Sequence, residues 1–302
     1  MDTIYHAGEQ RVQAESGAVE AATGMGRQVQ PGIAHLYVDF IQSQPFVIIG
    51  ACDGKGMVWG SMLCGRPGFM RVMDEQTLGI DALPDEQDPL SENFHDGSEV
   101  GLLLLDFSTR RRLRLNGIVA MEGGGFSVRT RQVYANCPRY IQSRTCEAGG
   151  NGSVSPRLAR QAASLDGKLR TLIGRADTFF ITSWHPEGGA DVSHRGGFPG
   201  FVQVLDDETL VWPDYNGNGM FNTLGNITEN PQGGLLFLDF ETGGTLQLSG
   251  NANIVLDKER AAHFPGAERL IEFRIKRVIE TANAIELRWR FNEYSPDNPW
   301  FC

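Results

Sequence analysis

The chain has 302 residues, a formal net charge of −10 and an apolar fraction of 41%. That length is enough for one large domain or two domains of ordinary size, each with its own core. The negative charge argues against a protein that binds nucleic acid by neutralising its phosphates. The longest apolar run, 100–105, is too short to span a bilayer, and 1–15 lacks the basic and apolar regions of a secretion signal. We therefore expect a cytoplasmic protein that binds neither nucleic acid nor membrane.

The cysteines and histidines predict neither a disulfide framework nor a metal site. The cysteines are odd in number and form no close CxxC pair, so we expect reduced thiols. They are Cys52, Cys64, Cys137, Cys146 and Cys302. The six histidines show no HxH or HxxxH spacing, which leaves a metal site without support.

The first half of the chain predicts a short helix followed by a series of strands. Residues 1–30 are polar and predict an arm with about one helical turn. A helical spacing then follows Pro31. Its apolar residues are Ile33, Leu36, Phe40 and Ile41. Runs of strand length occur at 45–53, 57–63, 68–73, 100–107 and 111–121. They predict antiparallel pairs joined by turns.

The second half predicts a similar order of elements. A Gly-rich linker at 147–155 leads to a predicted helix, with Ser155 as its cap and Pro156 in its first turn. The apolar stripe of this helix is Leu158, Ala162, Leu165, Leu169 and Leu172. The runs FVQVL at 201–205 and LLFLDF at 235–240 predict strands. Between them, a Gly/Asn-rich turn enters a short helix that stops before Pro231.

The two halves repeat each other. GRPGFMRVMDEQTL at 65–78 corresponds to GFPGFVQVLDDETL at 197–210, an offset of 132 residues. GLLLLDFSTRRRLRLNG at 101–117 corresponds to GLLFLDFETGGTLQLSG at 234–250, an offset of 133, and Phe46 is matched to Phe180 at 134. A period of this length indicates two copies of one domain rather than a solenoid. We predict domains at 1–148 and 149–302, in a mainly β (α+β) fold of barrels with peripheral helices.

The turn at 217–226 is the strongest candidate site. Its Asn218, Asn222 and Thr223 side chains, with the amides of its glycines, would lie at the start of the short helix. Unpaired amides and the helix dipole favour an anion there, and a phosphate fits. The alternative is that Asn222 or Thr223 only caps the helix. In the first copy the corresponding loop, 85–94, is acidic and would repel a phosphate.

These segments resemble the pyridoxamine 5′-phosphate oxidase-like superfamily of FMN-binding split barrels. The resemblance lies in DVSHRGGFPGFV, PDYNGNGMFNTLGN and NPQGGLLFLDFETGGTLQLSG, with weaker similarity in QVYANCPRYIQ and LRWRF. It is strongest to a flavin-nucleotide-binding subgroup, some members of which are fused to ferredoxin reductase modules. It implies a tandem duplicated split β-barrel, packed as a pseudo-dimer with FMN between the two copies.

The resemblance also implies a set of cofactor-binding residues in the second copy. They are Ser193, His194, Arg195, Gly197, Asn218, Phe221, Asn222 and Thr223. The implied function is an FMN-dependent oxidoreductase that passes hydride or electrons between a small donor and acceptor, with NAD(P)H or a separate reductase as partner. The alternatives are a flavin-nucleotide carrier without its own substrate or, less favoured, binding of haem or a deazaflavin. The resemblance is compatible with a homodimer as well as with a monomer.

For the remaining candidate residues, a structural role is the more common explanation. Asp191, Ser193 and His194 do not suggest a hydrolase triad, because neighbours on a strand point to opposite faces and no GxSxG elbow is present. Arg66 and the run 110–112 leave a basic site open in the first copy, although such a run is typical of a solvated strand edge. Trp289 and Trp300 could stack on a flavin, but core packing is the more common role.

Overall fold

A computed structural model of the chain describes residues 4–147 and 158–300. The predicted linker, from residue 148 onward, and the capping pair at 155 and 156 lie outside these ranges, as does Cys302. The mainly β prediction is confirmed, because strands make up 45% and helices 17% of the structure, and most of the strands lie in two large antiparallel sheets.

The first sheet contains seven strands in the spatial order β2-β1-β5-β6-β7-β4-β3. They are β1 (Phe46–Cys52), β2 (Val58–Cys64), β3 (Met70–Asp74), β4 (Thr77–Ile80), β5 (Glu99–Asp106), β6 (Arg111–Glu122) and β7 (Gly125–Ala135). The next strand, β8 (Ser143–Glu147), lies outside this sheet and pairs with the last strand of the chain.

The second sheet repeats this arrangement, with the order β11-β10-β14-β15-β16-β13-β12. Its strands are β10 (Thr178–His185), β11 (Gly189–Gly196), β12 (Gln203–Val204), β13 (Thr209–Tyr215), β14 (Gln232–Leu238), β15 (Thr245–Val255) and β16 (Ala267–Ala282). In addition, β9 (Leu158–Ala162) pairs with β16, and β17 (Arg288–Glu293) pairs with β8. The order of the seven strands is the same in both sheets, as a tandem duplication would produce.

Six α-helices lie around the sheets in the described chain. They are α1 (Ala7–Glu15), α2 (Val19–Gly26), α3 (Val38–Ser43), α4 (Gly167–Arg175), α5 (Asn222–Glu229) and α6 (Lys258–Ala261). The predicted helix that began before Leu158 was wrong in its first part, because 158–162 form β9. The long strand β16 offers a partner for these residues, so pairing outweighs the local helical spacing. The helix begins only at Gly167, where the Asp166 carboxylate accepts from the Leu169 amide at 2.9 Å.

The ladder register corrects one detail of the repeat. Ile48 pairs with Leu103 in the first sheet, and Phe180 pairs with Leu236 in the second. Since Leu103 and Leu236 are equivalent, Phe180 corresponds to Ile48 rather than to Phe46. The predicted strand 201–205 is also shorter than expected, because only 203–204 joins the ladder.

The strands that face both cores explain the continuous apolar runs. In β5, Leu102 and Leu104 enter the core of the first sheet, while Leu103 and Leu105 enter a core shared with the second sheet. Strand β14 is divided in the same way, with its even-numbered leucines in the shared core. A strand buried on both faces has no polar side to alternate with. Trp289 of β17 is 5% exposed in the shared core, so core packing is its role.

Glycines allow the two sheets to approach closely. A Cβ at Gly101 would lie 2.8 Å from the carbonyl oxygen of Ala190, and one at Gly234 would lie 2.6 Å from that of Val58. The repeat relates Gly101 to Gly234 and Val58 to Ala190, so these contacts are equivalent. The two sheets therefore pack about an internal pseudo-twofold axis.

We expect Gly234→Ala to lower the free energy of unfolding by about 2 kcal/mol, because the added methyl group meets backbone atoms that cannot rotate away. Gly24→Ala in α2 is the matched control, since a methyl group at Gly24 would have no neighbour within 4 Å. This control should leave stability unchanged or raise it, because alanine favours helix. Chemical denaturation of both variants checks the prediction, and equal stabilities would contradict it.

Candidate anion-binding site between the two sheets

A cleft lies where β6 of the first sheet meets β11, β13 and the start of α5 in the second half. Its volume is about 830 Å³, including space open to solvent. Seven of the eight predicted site residues line it: Ser193, His194, Arg195, Asn218, Phe221, Asn222 and Thr223. Gly197 does not line the cleft. Its carbonyl oxygen accepts from Gln142 Nε2 at 3.2 Å, behind the cleft wall.

Four arginines line this cleft: Arg139, and three that come from strands of the two sheets. Arg112 and Arg114 come from β6, and Arg195 comes from β11. Arg114 forms an ion pair with Asp191 at 3.0 Å, and both side chains are buried. Arg112 and Arg195 form no ion pair with any residue in the described ranges. The Arg195 side chain donates instead from Nη1 to the His194 carbonyl oxygen at 3.1 Å.

The electrostatics of these arginines favour an anionic guest. The Nε atoms of Arg112, Arg114 and Arg195 are buried and have no hydrogen-bond partner in the described chain. Burial, together with the charges of Arg114 and Arg195, lowers the pKa of Arg112 to about 9. Burial also lowers the pKa of Arg195, with Asp214 partly offsetting the effect. Guanidinium nitrogens that are buried without partners are costly, and an anion between them would reduce that cost.

His194 lies among these cations as a neutral imidazole. It is 3% exposed, and neither ring nitrogen has a partner among the described residues. Burial, and then the charges of Arg112 and Arg195, hold its pKa well below the ordinary value. A neutral imidazole presents one donor and one acceptor. A ligand that offers both kinds of polar group could therefore bind here.

The start of α5 completes the cleft. The N-cap residue is Phe221, in the left-handed region with φ of 59° and no capping side chain. The capping interpretation of Asn222 and Thr223 was wrong, because both lie inside the helix. Asn222 Nδ2 donates to Glu9 Oε1 at 2.6 Å, and the hydroxyls of Thr223 and Ser193 lie 2.7 Å apart. A strained non-glycine backbone at Phe221 is typical of a functional site.

Two tyrosines add an aromatic wall. The rings of Tyr140 and Tyr215 have centroids 5.0 Å apart, and both residues line the cleft. The Tyr140 hydroxyl donates to the Asn216 carbonyl oxygen at 2.9 Å, which fixes the ring. The cleft therefore combines cationic groups, a neutral imidazole and flat aromatic surface.

The arginines of β6 were not among the predicted site residues. The run 110–112 was expected at a solvated strand edge, and this is wrong for Arg112, which lines the cleft. Alternation of Arg112 and Arg114 with buried leucines was the available signal, but the same pattern occurs on solvated strands. Arg110 has a different role, because its Nη2 donates to Glu293 at 2.8 Å. Trp300 is 73% exposed and packs on Phe198, away from the cleft lining.

The equivalent position in the first copy lacks these cations. The repeat places Met62 and Leu63 where the second copy has His194 and Arg195. In the same way, Thr245 and Gln247 of β15 occupy the positions that Arg112 and Arg114 occupy in β6. All four residues line a separate pocket, together with Asp88. The Asp88 carboxylate accepts from Gln247 Nε2 at 3.2 Å, so this pocket contains negative rather than positive charge.

Residues 4–147 and 158–300 contain neither a cluster of metal ligands nor a membrane-spanning helix. No three His, Cys, Asp or Glu side chains in these ranges are placed to hold a metal ion. None of the helices there has the length and apolar character needed to cross a membrane.

Residues 165–289 match the family model described as pyridoxamine 5′-phosphate oxidase. HupZ from Group A Streptococcus is 16% identical, with a TM-score of 0.31, and covers 38% of this chain and 91% of its own. A putative pyridoxamine 5′-phosphate oxidase from Lactobacillus delbrueckii is 16% identical, with a TM-score of 0.30 and coverages of 39% and 98%. An FMN-binding protein from Syntrophomonas wolfei is 14% identical, with a TM-score of 0.27 and coverages of 37% and 82%. No curated protein sequence matches the chain.

We expect opposite effects from neutralising two neighbouring arginines. Arg114→Gln should lower the free energy of unfolding by about 3 kcal/mol, because it leaves Asp191 buried without its cation. Arg112→Gln should leave it unchanged or raise it, since it removes a charge that has no ion-pair partner in the described chain and whose Nε is buried. The pKa of Arg112 is depressed, so its charge opposes folding fully below about pH 9. Thermal unfolding near neutral pH checks both variants, and equal losses would contradict the assignment.

Proposed function

We propose that the cleft binds FMN and that the protein is an FMN-dependent oxidoreductase of the pyridoxamine 5′-phosphate oxidase-like type; the match of residues 165–289 to that family model supports this. The observation that carries this proposal is the pair Arg112 and Arg195, whose Nε atoms are buried without a hydrogen-bond partner in the described chain. An anion between two half-buried cations of this kind would stabilise both of them. A ligand that carries a phosphate supplies one.

The phosphate would be held by groups from both sheets. Arg112 and Arg195 would provide charge-assisted hydrogen bonds. Thr223 and the first amides of α5 would add donors, because the amides at a helix start have no partner inside the helix. Asn222 would act at this site through its amide, since its side chain already contacts Glu9. The site is therefore composite, and neither half of the chain would complete it alone.

The ring system would lie among His194, Tyr140 and Tyr215. Neutral His194 can donate one hydrogen bond and accept another, which suits the alternating polar edge of a flavin. A bound flavin would accept hydride or electrons from a donor and pass them to an acceptor. The arginines near the cleft would stabilise the negative charge that the ring gains on reduction. NAD(P)H, or a separate reductase, is the proposed source of those electrons.

We further propose that the chain is a tandem duplication, with domains at 1–148 and 149–302, and that it works in the cytoplasm. The equal strand order of the two sheets supports the duplication. Anaerobic mixing of the flavin-loaded protein with NADH or NADPH separates an enzyme from a carrier. Direct bleaching of the flavin absorbance supports an enzyme, whereas bleaching only after addition of a reductase supports a relay protein.

We expect Arg195→Ala to weaken FMN binding about tenfold or more, because it removes a charge-assisted phosphate contact worth about 1.5 to 3 kcal/mol. Arg66→Ala is the matched control, because Arg66 occupies the equivalent segment of the first copy and is exposed. Riboflavin, which lacks the phosphate, should lose little affinity for either variant. Fluorescence titrations give the ratio of the FMN and riboflavin dissociation constants. An unchanged ratio in Arg195→Ala, or an equal loss in Arg66→Ala, would contradict the site.

We expect one FMN for each chain, because the pocket of the first copy has Met62 and Leu63 in place of His194 and Arg195. An absorbance titration against protein concentration, with native mass spectrometry of the loaded chain, measures the stoichiometry. Two bound flavins of similar affinity would show that the first copy also forms a site.

A further inference from the structure

The N-terminal helix α1 packs directly on α5, the helix that begins at the cleft. Their contact is a close crossing of two glycines. A methyl group at Gly8 would collide with the carbonyl oxygen of Gly225, and one at Gly225 would collide with Glu9. Backbones that approach this closely hold the side chains beside the crossing in fixed positions. Two acidic residues, Glu9 and Glu229, lie at this crossing, and Glu9 is the buried one.

Glu9 is buried and bridges the two helices. It is 5% exposed. Its Oε1 accepts from Asn222 Nδ2 at 2.6 Å, and its Oε2 accepts from the His6 amide at 2.9 Å. Its contact with a basic group is to His6, whose Nε2 lies 3.5 Å away. Burial lowers the pKa of His6, which keeps that ring neutral near pH 7. The carboxylate is therefore held by hydrogen bonds without a full opposite charge.

Asn222 connects Glu9 to the cleft. It lines both the cleft and a second cavity of about 960 Å³ that Glu9 also lines. The Tyr134 hydroxyl lies 3.4 Å from Asn222 Oδ1 and 3.3 Å from Asp191 Oδ1. Asp191 is in turn paired with Arg114 of the cleft. A charge on Glu9 is thus separated from the proposed phosphate position by a single side chain.

Several titratable groups on neighbouring elements surround Glu9. Tyr5 and His6 come from its own segment, Tyr134 from β7, His185 from β10, Asp191 from β11 and Glu229 from α5. Burial raises the pKa of Tyr5 to about 12, and that of Tyr134 is also raised, so both stay protonated. His185 stacks on His6 rather than on Glu9. Burial raises the pKa of Glu9 itself to about 7.

We propose that Glu9 regulates the cleft: it takes up a proton when an anionic ligand binds beside Asn222, so that the N-terminal helix makes anion affinity depend on pH. This inference rests on the proposed function only in requiring that the ligand carry a phosphate. An incoming negative charge disfavours the Glu9 carboxylate and favours its protonated form. By linkage, anion affinity then rises as the pH falls through the range in which free Glu9 gains its proton.

Glu9→Gln tests this role, because glutamine keeps an acceptor oxygen for Asn222 while it removes the charge. At about pH 8.5 the variant should bind FMN about tenfold more tightly than the wild type, and at about pH 6 the two should bind alike. The wild type and Glu9→Gln should bind riboflavin with the same affinity at either pH. Glu15→Gln is the matched control, since it removes an equal charge from the exposed end of α1.

Calorimetry of FMN binding in two buffers with different ionisation enthalpies measures the proton taken up. At about pH 8, where the phosphate is already a dianion, the wild type and Glu15→Gln should take up a fraction of a proton and Glu9→Gln close to none. A merely structural role for Glu9 would alter stability but not this difference.

Inorganic phosphate serves as a second probe, with the Glu9 carboxyl followed by carbon NMR. If FMN fails to bind but phosphate raises the Glu9 pKa, the proposed flavin function is wrong and the regulation stands. If FMN binds and Glu9→Gln shows the wild-type proton uptake and pH profile, the regulation is wrong and the flavin function stands. If neither probe binds, both are wrong.

Discussion

The buried ion pair between Arg114 and Asp191 ties the candidate site to the fold. It joins β6 of the first sheet to β11 of the second at 3.0 Å. The neighbouring strand β5 can approach β11 because Gly101 leaves room for the backbone at Asp191. Arg114 Nη2 also contacts the Ser193 hydroxyl, which in turn contacts Thr223. The pair thus sets the distance between the sheets and positions the start of α5.

The same constraint explains why Arg112 points into the cleft without an ion-pair partner in the described chain. It lies two residues before Arg114 on β6, and alternate residues of a strand share a face. Because Arg114 points into the space between the sheets, Arg112 points there too. No carboxylate of the described chain is paired with Arg112. Arg195 extends into the same cleft from β11 of the second sheet. The cationic character of the cleft is therefore a consequence of sheet packing as much as of local sequence.

Much of this architecture could be predicted from the sequence. The repeated blocks indicated two similar sets of strands, and the motif around 191–223 indicated residues that do line one cleft. Arg112 and Arg114 could not be assigned, because alternation with leucine looks alike on a solvated strand and at a buried interface. The strand at Leu158–Ala162 was missed for a related reason, since its spacing suits a helix and only the long β16 edge makes it a strand. In each case the deciding partner is distant in sequence.

The central claim is that one anion site is built by cations from both sheets. A crystal structure of the protein soaked with FMN tests it most directly. The account predicts the phosphate within hydrogen-bonding distance of both Arg112 and Arg195, beside the first turn of α5. A phosphate bound elsewhere, or held by residues of the second sheet alone with Arg112 turned away, would contradict it.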